Sequence, residues 1–529
     1  MGAPLDDRSW LTRRRFLRGA SALALGAAAA STPLGLAVAA DDGDRRLRRP
    51  GSLPFPDRPA GEPQPDLAPE LAPIEHIVLV MQENHSFDSY LGMLPHRVRS
   101  RRRVDGFPRL DRDGRPAVVQ EDALGQRFQA FPMPNACQLN GHPGQNWIAS
   151  HTAFDGGRLD GFVRASGEVA VGFWDDRTLP FYYSLATHFP VCDRFFCSTL
   201  AQTFPNRVFA MAATAAGLIA TTNPPPEVHP ANGHLFDLLE AHGIDWVDFF
   251  TDLPSPGLFG RAWALARLGS RLIGPTGSID GTLAALRAVI QAGTLPPVVM
   301  VEPDFGHASE ENPQNVQAGE KFVAGVAQAL MANPKVWERT LLVWYYDEHG
   351  GYYDHVPPPR ALNPGDGSHP LLPAGVPSFG DDYTRLGFRV PAVVVSPWAR
   401  RDFVSHTVFD HTSVLRTIEI KWNLPALTLR DANANDLREC LVRRGPAPFL
   451  EPPALVAAPA SQPTGDPVAD SNFCATTPGA AGQLPPPLPG GDAESERLDS
   501  RRRRALDRGA CCSPESAHAP SQPTASEST

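Results

Sequence analysis

The stretch Leu341–Tyr346, with the sequence LLVWYY, is followed directly by Asp347–Gly351, with the sequence DEHGG. Six apolar or aromatic residues in a row are typical of a strand that is buried on both faces of a sheet. This strand delivers two carboxylates and an imidazole into a turn whose glycines let the backbone approach a ligand closely. The pattern predicts an α/β fold with its chemistry at the end of this strand.

Similar apolar runs recur along the chain, with helical patterns such as Gly319–Met331 and His411–Trp422 between them. The alternation predicts a single large α/β domain at 74–445, whose mostly parallel central sheet is flanked by helices. Ligands of such sheets gather beyond the carboxyl ends of the strands, so the residues after each strand are candidates for function. The predicted strands are Ile74–Met81, Ile244–Phe250, Val298–Glu302, Leu341–Tyr346 and Val390–Val395.

The first 40 residues predict a signal peptide. The segment Thr12–Arg18, with the sequence TRRRFLR, precedes the Ala-rich run Ala20–Ala30 and the small residues at 37–40. This run is too short for a membrane anchor, and the Arg-Arg-x-Phe-Leu pattern is similar to a twin-arginine export signal. We therefore expect the export machinery to be a partner and the protein to be periplasmic, in the cell envelope or secreted.

Two further segments differ in composition from the predicted domain. Residues 41–73 are polar and rich in proline, which predicts a linker. Residues 446–529 are dominated by Pro, Ala, Ser and Gly, and such a segment buries too little apolar surface to offset the entropy of ordering it. We therefore predict a disordered tail, in which Cys474, Cys511 and Cys512 have no role in the core.

The overall composition excludes some classes of function. The chain has 48 Lys and Arg against 58 Asp and Glu, which gives a formal net charge of −10. Nucleic-acid-binding surfaces are basic, so this balance argues against a nucleic-acid partner. Seven cysteines in 529 residues do not make a small disulfide-stapled domain. Cys192 and Cys197 are candidates for a bridge, and their surroundings do not resemble a cysteine-based metal site.

Two acidic motifs follow predicted strands. Glu83 and Asn84 place a carboxylate and an amide oxygen at the exit of the first strand, and hard cations prefer such ligands. In isolation, this pair is better explained by capping of a helix N-terminus. Asp347 and Glu348 indicate a divalent cation more strongly, since paired acids at a strand end are costly without a bound cation. The alternative is a solvated acidic turn.

A third motif, Ala201–Arg207, has the sequence AQTFPNR. A threonine hydroxyl beside a divalent cation can lose its proton and act as a nucleophile, which is a role open to Thr203. Asn206 is a candidate for binding the phosphoryl group, because its amide can donate hydrogen bonds to the oxygens of that group. The alternative is an ordinary turn set by Pro205, with Thr203 or Asn206 capping the next helix.

Taken together and in this order, the motifs resemble the phosphoesterase family of bacterial phospholipases C and related acid phosphatases. That family lies within the alkaline-phosphatase-like superfamily, so the resemblance implies an alkaline-phosphatase-like fold. The segments that carry it are Ile74–Val78, Asn84–Asp88, Gly156–Gly157, Asp160–Phe162, Leu179–Tyr183, Cys192–Asp193, Thr203–Arg207, Tyr346–Pro359, Pro391–Val393, Ser405–His406 and Asp410–Leu415.

The resemblance also implies roles for single residues. Thr203 would attack phosphorus, and water would then hydrolyse the phospho-Thr intermediate. A histidine would protonate the leaving oxygen, and the candidates are His349 and His355, with His307 as a further possibility. One divalent metal ion would be bound, and its ligand types leave Ca, Mg, Mn, Fe and Zn open. The implied metal ligands are Glu83, Asn84, Thr203, Asp347 and Glu348.

The chain departs from the family pattern at two positions. Family members usually have a histidine two residues before the tryptophan that is Trp147 here, and this chain has Gln145. Many also have a His-Pro pair where this chain has Asn312 followed by proline. Glutamine and asparagine do not transfer protons near neutral pH, so the general acid is left open. His142 is a candidate substitute that would bind the phosphate group, and His411 is either functional or a structural residue at a helix start.

The resemblance implies an exported, metal-dependent phosphoric ester hydrolase of the phospholipase C type. Its substrate would be a phosphate ester, with a phospholipid as the leading candidate. One alternative is a broad-specificity acid phosphatase, which cleaves phosphomonoesters. The second is a catalytically silent relative that binds a phosphorylated ligand, for which Gln145 and Asn312 are the support. No stable protein partner is predicted.

Overall fold

The computed structural model describes residues 47–138, 143–223 and 225–488. The predicted signal peptide, the candidate His142, and Cys511 and Cys512 lie outside the described residues. In the part that is described, no helix is both long and apolar enough to cross a lipid bilayer.

The strands form one large sheet and two small ones. They are β1 (His76–Gln82), β2 (Val119–Glu121), β3 (Arg127–Gln129), β4 (Phe131–Pro132), β5 (Gly172–Phe173), β6 (Val191–Cys192), β7 (Trp246–Phe249), β8 (Leu272–Ile273), β9 (Val298–Val301), β10 (Thr340–Tyr346), β11 (Ala392–Val395) and β12 (Val404–Ser405). The large sheet has the order β12-β6-β11-β10-β1-β9-β7-β8, and β2–β3 and β4–β5 form the small sheets.

Five neighbouring strands of the large sheet, from β10 through β1, β9 and β7 to β8, are parallel. Strand β11 runs antiparallel to β10 and β6. Every residue of β10 is buried, as its unbroken apolar sequence predicts. The prediction of an α/β fold with a mostly parallel central sheet is therefore confirmed.

Helices flank this sheet. They are α1 (Phe87–Leu91), α2 (Leu94–Arg97), α3 (Trp147–Phe154), α4 (Phe162–Ser166), α5 (Pro180–His188), α6 (Thr203–Ala212), α7 (Leu235–Ala241), α8 (Arg261–Arg267), α9 (Ile279–Ala292), α10 (Val316–Met331), α11 (Pro334–Trp337), α12 (His411–Trp422), α13 (Leu429–Ala432) and α14 (Pro467–Thr476). Single 3-10 turns lie at Arg99–Arg101, Asp155–Gly157, Glu168–Val171, Ser255–Phe259 and Leu437–Cys440.

The five predicted strands are all present, with ends that differ from the prediction by at most two residues. Helix α12 has the predicted bounds, because Asp410 caps its first turn and Asn423 adopts a left-handed conformation directly after its last residue. Helix α10 begins three residues earlier than predicted, since the side chain of Asn315 caps it by accepting a hydrogen bond from Gln317 N. Local capping residues therefore set these boundaries.

The prediction of a disordered tail is wrong for residues 446–488. This segment contains α14, and Cys474 within that helix forms a disulfide with Cys137. The side chain of Asn315, at the start of α10, also donates a hydrogen bond to Gln462 O at 3.0 Å. The prediction that Cys474 has no role in the core is therefore wrong as well, because local composition does not reveal a partner 337 positions away.

Two other sequence predictions are corrected by packing. Cys192 and Cys197 are both free thiols, and the neighbour of Cys192 is Cys440, with 3.8 Å between the two sulfurs. Residues 47–73 are not a free linker, because they pack against the end of α12. There the Asn423 amide donates to the backbone oxygens of Phe55, Arg58 and Pro59.

Candidate active site and metal centre

The candidate metal centre lies where two adjacent parallel strands end. In the register of β1 and β10, Gln82 pairs with Tyr346, so Glu83 and Asp347 leave the sheet side by side. The backbone N–H of Asp347 donates to Gln82 O at 3.1 Å. The N–H of Asn84 donates to the Asp347 carboxylate at 3.2 Å. Parallel pairing thus brings together two motifs that are far apart in the chain.

A tight turn holds Glu348 over these strand ends. Gly350 has a φ of +64°, and a Cβ at this position would lie 1.7 Å from Asn84 O. Glycine is therefore required here, both for the left-handed backbone and for the close approach. The N–H of Gly350 donates to Glu348 Oε2 at 2.7 Å, which orients that carboxylate.

The carboxylates of Glu83, Asp347 and Glu348 are buried, and they share little positive charge. Arg207 donates from Nε to Asp347 Oδ2 at 3.0 Å, and its Nη2 lies 3.7 Å from Glu83 Oε1. Burial raises the pKa of Glu83 to about 8, although Arg207 acts in the opposite direction. Burial and the neighbouring charge of Asp347 raise the pKa of Glu348 well above its usual range. The cluster is therefore short of cationic charge.

The donor atoms of this cluster are of the type that divalent metal ions prefer. Within the described chain, Glu83 Oε2 and Glu348 Oε1 are buried and have no hydrogen-bond partner. Buried carboxylate oxygens without partners are costly unless a cation compensates them. Oxygen-rich sites of this kind suit hard divalent ions.

Thr203 lies beside this cluster. It is the first residue of α6, is 6% exposed, and donates from Oγ1 to Asn84 Oδ1 at 3.4 Å. Arg207, one turn further along α6, contacts Asp347, so the helix is joined to the strand ends at two points. The structure thus brings together Glu83, Asn84, Thr203 and Asp347, with Glu348 on the same turn.

The model of the phosphoesterase family matches residues 74–425, which contain all of these residues. The chain belongs to the phosphoesterase family. It is accordingly a hydrolase that acts on phosphoester bonds.

Two relatives of this phosphoesterase are phospholipases C. Phospholipase C B of Mycobacterium tuberculosis is 33% identical over 440 residues, which cover 74% of this chain and 82% of that protein. Non-hemolytic phospholipase C of Pseudomonas aeruginosa is 30% identical over 394 residues, which cover 67% of this chain and 54% of that protein. This chain therefore spans about half the length of the second relative.

This phosphoesterase is similar to a solved structure of a protein in the alkaline phosphatase superfamily from Vibrio parahaemolyticus. The TM-score is 0.34 at 10% sequence identity, and the alignment covers 72% of this chain and 76% of that chain.

The prediction that Asn206 of this phosphoesterase binds the phosphate group is corrected by its contacts. The amide group donates to the backbone oxygens of Thr199, Ala201 and Gln202, and its Oδ1 accepts from Thr199 N at 3.0 Å. These hydrogen bonds engage both the Oδ1 and the Nδ2 of Asn206. Asn206 therefore positions the loop that precedes Thr203, and no donor is left over for a substrate.

Of the candidate general acids, His349 is adjacent to the candidate metal centre. Its Nδ1 lies 3.1 Å from Glu348 Oε2, and its ring packs against Phe162 and Phe388. Burial lowers the pKa of His349 to about 3, so the imidazole is neutral near neutral pH. Its Nδ1 faces Glu348, while its buried Nε2 has no hydrogen-bond partner among the described residues.

His355 is placed in a separate ion network. Its Nδ1 lies 2.6 Å from Asp88 Oδ2, and its Nε2 lies 3.2 Å from Asp105 Oδ1. Donor atoms of Asp88, Asp354 and His355 lie within 4.8 Å of one another, which is compatible with a metal ion. However, Arg389 already donates to Asp88 and Asp354, at 3.0 and 2.8 Å. This network therefore has its own cation, and both nitrogens of His355 are engaged in it.

Two other histidines have structural surroundings. His411 Nε2 lies 2.9 Å from Tyr346 O at the start of α12, which supports the structural alternative for this residue. His307 Nδ1 lies 3.1 Å from Asp304 Oδ1 near the surface.

Sequence reasoning missed two residues of the site. Arg207 stands in a recognised motif, but only the structure shows that it contacts Asp347. Glu311 is buried, and the charges of Glu83, Asp347 and Glu348 act on its carboxylate. Burial is the main reason that the pKa of Glu311 lies well above its usual range, and the three neighbouring negative charges raise it further. Glu311 immediately precedes Asn312, where this chain departs from the family pattern. That neighbourhood is the only feature of the sequence that indicates Glu311.

Proposed function

We propose that this phosphoesterase is an exported, metal-dependent enzyme of the phospholipase C type in which Thr203 is the nucleophile. One observation carries the proposal, namely the 3.4 Å contact between Thr203 Oγ1 and Asn84 Oδ1 beside three buried carboxylates. The relatives named phospholipase C support a phosphodiester lipid as the substrate.

A divalent metal ion would be held by the carboxylates of Glu83, Asp347 and Glu348 and by the oxygens of Asn84 and Thr203. When bound, such an ion polarises a phosphoryl oxygen and favours the deprotonated form of a nearby hydroxyl. Arg207 keeps the Asp347 carboxylate in place through its 3.0 Å hydrogen bond.

Thr203 Oγ would form a bond to phosphorus while the bond from phosphorus to the lipid alcohol breaks. The alcohol leaves with a proton, and the phosphorylated head group stays on Thr203. Water then attacks phosphorus, and the threonine hydroxyl is restored. The N-terminus of the ten-residue helix α6 supports both steps, because its partial positive charge favours an anionic phosphoryl group.

Export is supported by the disulfide between Cys137 and Cys474 as well as by the pattern of the first 40 residues. Disulfides persist mainly in proteins outside the reducing cytosol.

The test uses the purified protein with phosphatidylcholine vesicles, p-nitrophenyl phosphorylcholine and p-nitrophenyl phosphate, each with a panel of divalent ions. We expect diacylglycerol and phosphocholine from the vesicles. An acid quench should leave the head-group phosphate on the peptide that contains Thr203, as mass spectrometry would detect. Turnover of the monoester alone would point to an acid phosphatase, and no turnover with any ion would favour the catalytically silent alternative.

The matched variants are Thr203→Ala and Thr203→Ser. The kcat of the alanine variant should fall at least about 10³-fold, because no nucleophile remains. The serine variant keeps a hydroxyl and should therefore retain part of the activity. Unchanged hydrolysis by Thr203→Ala would remove Thr203 as the nucleophile.

A further inference from the structure

The helix α6, which begins at Thr203, is not capped by the residue before it. The side chain of Gln202 makes no capping hydrogen bond. The first N–H groups of a helix have no partner inside the helix and need one from elsewhere. Pro205, the third residue of α6, has no N–H, which leaves those of Thr203 and Phe204 in the first turn. The start of this helix therefore depends on groups outside it.

Thr221 supplies a cap from the loop that follows α6. The N–H of Phe204 donates to Thr221 Oγ1 at 3.1 Å, although 17 positions separate the two residues. In the opposite direction, the N–H of Thr221 donates to Gln202 Oε1, also at 3.1 Å. These two hydrogen bonds, which we call the Thr221 clamp, hold the residues on either side of Thr203.

The loop that carries Thr221 is itself held in place. The hydroxyl of Tyr383 donates to Leu218 O at 2.9 Å. Ile219 is buried in a small apolar cluster that also contains Tyr383 and Ala201, and Ala201 lies in the loop before α6. The Thr221 clamp therefore joins the start of α6 to a part of the protein that is anchored by packing and by a hydrogen bond.

The position of Thr203 matters for the reaction. Its Oγ1 lies 3.4 Å from Asn84 Oδ1. Asn206 fixes the backbone before Thr203 through the hydrogen bonds to Thr199 and Ala201, and the Thr221 clamp fixes the residues directly before and after Thr203. A displacement of about 1 Å in a reacting group can cost about 100-fold in rate. A contact that fixes this turn can therefore affect turnover without touching the substrate.

From these contacts we infer that Thr221 is a positioning residue for the reaction. Its hydrogen bonds to Phe204 and Gln202 fix the first turn of α6 and so orient the Thr203 hydroxyl for attack on phosphorus. The inference rests on the proposed role of Thr203 as the nucleophile. Thr221 does not itself contact the reacting atoms, because it acts through residues 202–204.

The test compares Thr221→Val with the wild type in the hydrolysis of p-nitrophenyl phosphorylcholine and p-nitrophenyl phosphate, with the divalent ion that supports turnover. Valine keeps the shape of the side chain but cannot accept the hydrogen bond from Phe204. We expect kcat to fall about 10- to 100-fold, with KM close to that of the wild type. An acid quench of a single turnover should show slower labelling of Thr203. Thr221→Ser keeps the hydroxyl and should restore most of kcat.

The matched control is Ser278→Ala, which removes a capping hydrogen bond of the same length from a different helix. Ser278 Oγ accepts from Gly281 N at 3.1 Å at the start of α9. Both variants should lower Tm by a similar amount, because each helix loses one cap. Only Thr221→Val should lower kcat. If Thr221→Val does not fold, Gln202→Leu replaces it, since this variant removes the other bond of the Thr221 clamp and should also lower kcat.

The outcomes separate this inference from the proposed function. If the wild type hydrolyses neither substrate, or if Thr203→Ala keeps full activity, the proposed nucleophile fails, and the role of Thr221 fails with it. If Thr203→Ala is inactive and Thr221→Val lowers Tm but keeps the kcat of the wild type, only the role of Thr221 is overturned. A raised KM with an unchanged kcat in Thr221→Val would overturn it as well.

Discussion

The guanidinium of Arg207 and the carboxylate of Asp347 meet at 3.0 Å, although 140 positions separate them in the chain. Both side chains are buried. Arg207 lies one turn after Thr203 on α6, and Asp347 directly follows β10, so this ion pair joins α6 to the strand ends. Arg207 Nη1 also donates to Ser255 Oγ at 3.1 Å, and the Arg207 guanidinium lies over the Phe305 ring.

Loss of this ion pair should destabilise the protein strongly. We expect Arg207→Gln to lower the free energy of unfolding by about 3–5 kcal/mol, because Asp347 keeps a buried charge without its partner. Urea unfolding of the metal-free protein measures this. Arg207→Lys keeps the charge but not the planar geometry, so it should lose less stability than Arg207→Gln. Equal stability of the glutamine variant and the wild type would contradict the assigned contact.

Asn206 should matter for turnover through the position of Thr203. In Asn206→Ala, the loop at 199–202 loses its side-chain hydrogen bonds, so we expect kcat to fall with little change in KM. The free energy of unfolding should also fall by about 1–3 kcal/mol, since buried backbone groups lose partners. A raised KM with an unchanged kcat would instead indicate that Asn206 binds the substrate.

His355 should make stability depend on pH in the alkaline range. Burial alone would lower its pKa, but the charge of Asp88 and the hydrogen bond to Asp105 raise it to about 10. A pKa above the unfolded value of about 6.5 stabilises the folded state fully below that pH. This contribution is lost as the pH rises through about 10.

We therefore expect His355→Asn to lose about 2–4 kcal/mol of stability at pH 6 and much less at pH 10, measured by urea unfolding. The matched control is His369→Asn, since the His369 side chain is 71% exposed and pairs with Asp382 at the surface. The free energy of unfolding of this control should match that of the wild type at both pH values. A loss from His355→Asn that does not change with pH would contradict the charged state assigned to His355.

The disulfide between Cys137 and Cys474 should stabilise the protein by joining α14 to the main domain. Replacement of both cysteines by serine should lower the free energy of unfolding by about 2–5 kcal/mol. Dithiothreitol should lower the Tm of the wild type but leave that of the double variant unchanged. A wild-type Tm that does not respond to reduction would contradict a stabilising role for this bond.

Much of the fold could be predicted from local sequence. Unbroken apolar runs such as Leu341–Tyr346 identify buried strands, because residues on both faces of such a strand must avoid water. The acidic residues after β1 and β10 could be named as candidates for function, because ligands gather beyond the carboxyl ends of parallel strands, and the family resemblance implied that they share one site. Capping residues such as Asp410 mark a helix end within the sequence itself.

The amino-acid sequence by itself thus determined the α/β class and the main strands, and it marked the residues around Asp347 as candidates for a functional site. Only the tertiary structure decided the contacts of Arg207, Asn206 and His355 and the partner of Cys474. These contacts depend on which distant groups share a buried, poorly solvated environment. Pairing across hundreds of residues creates that environment, and the local pattern around each residue does not contain it.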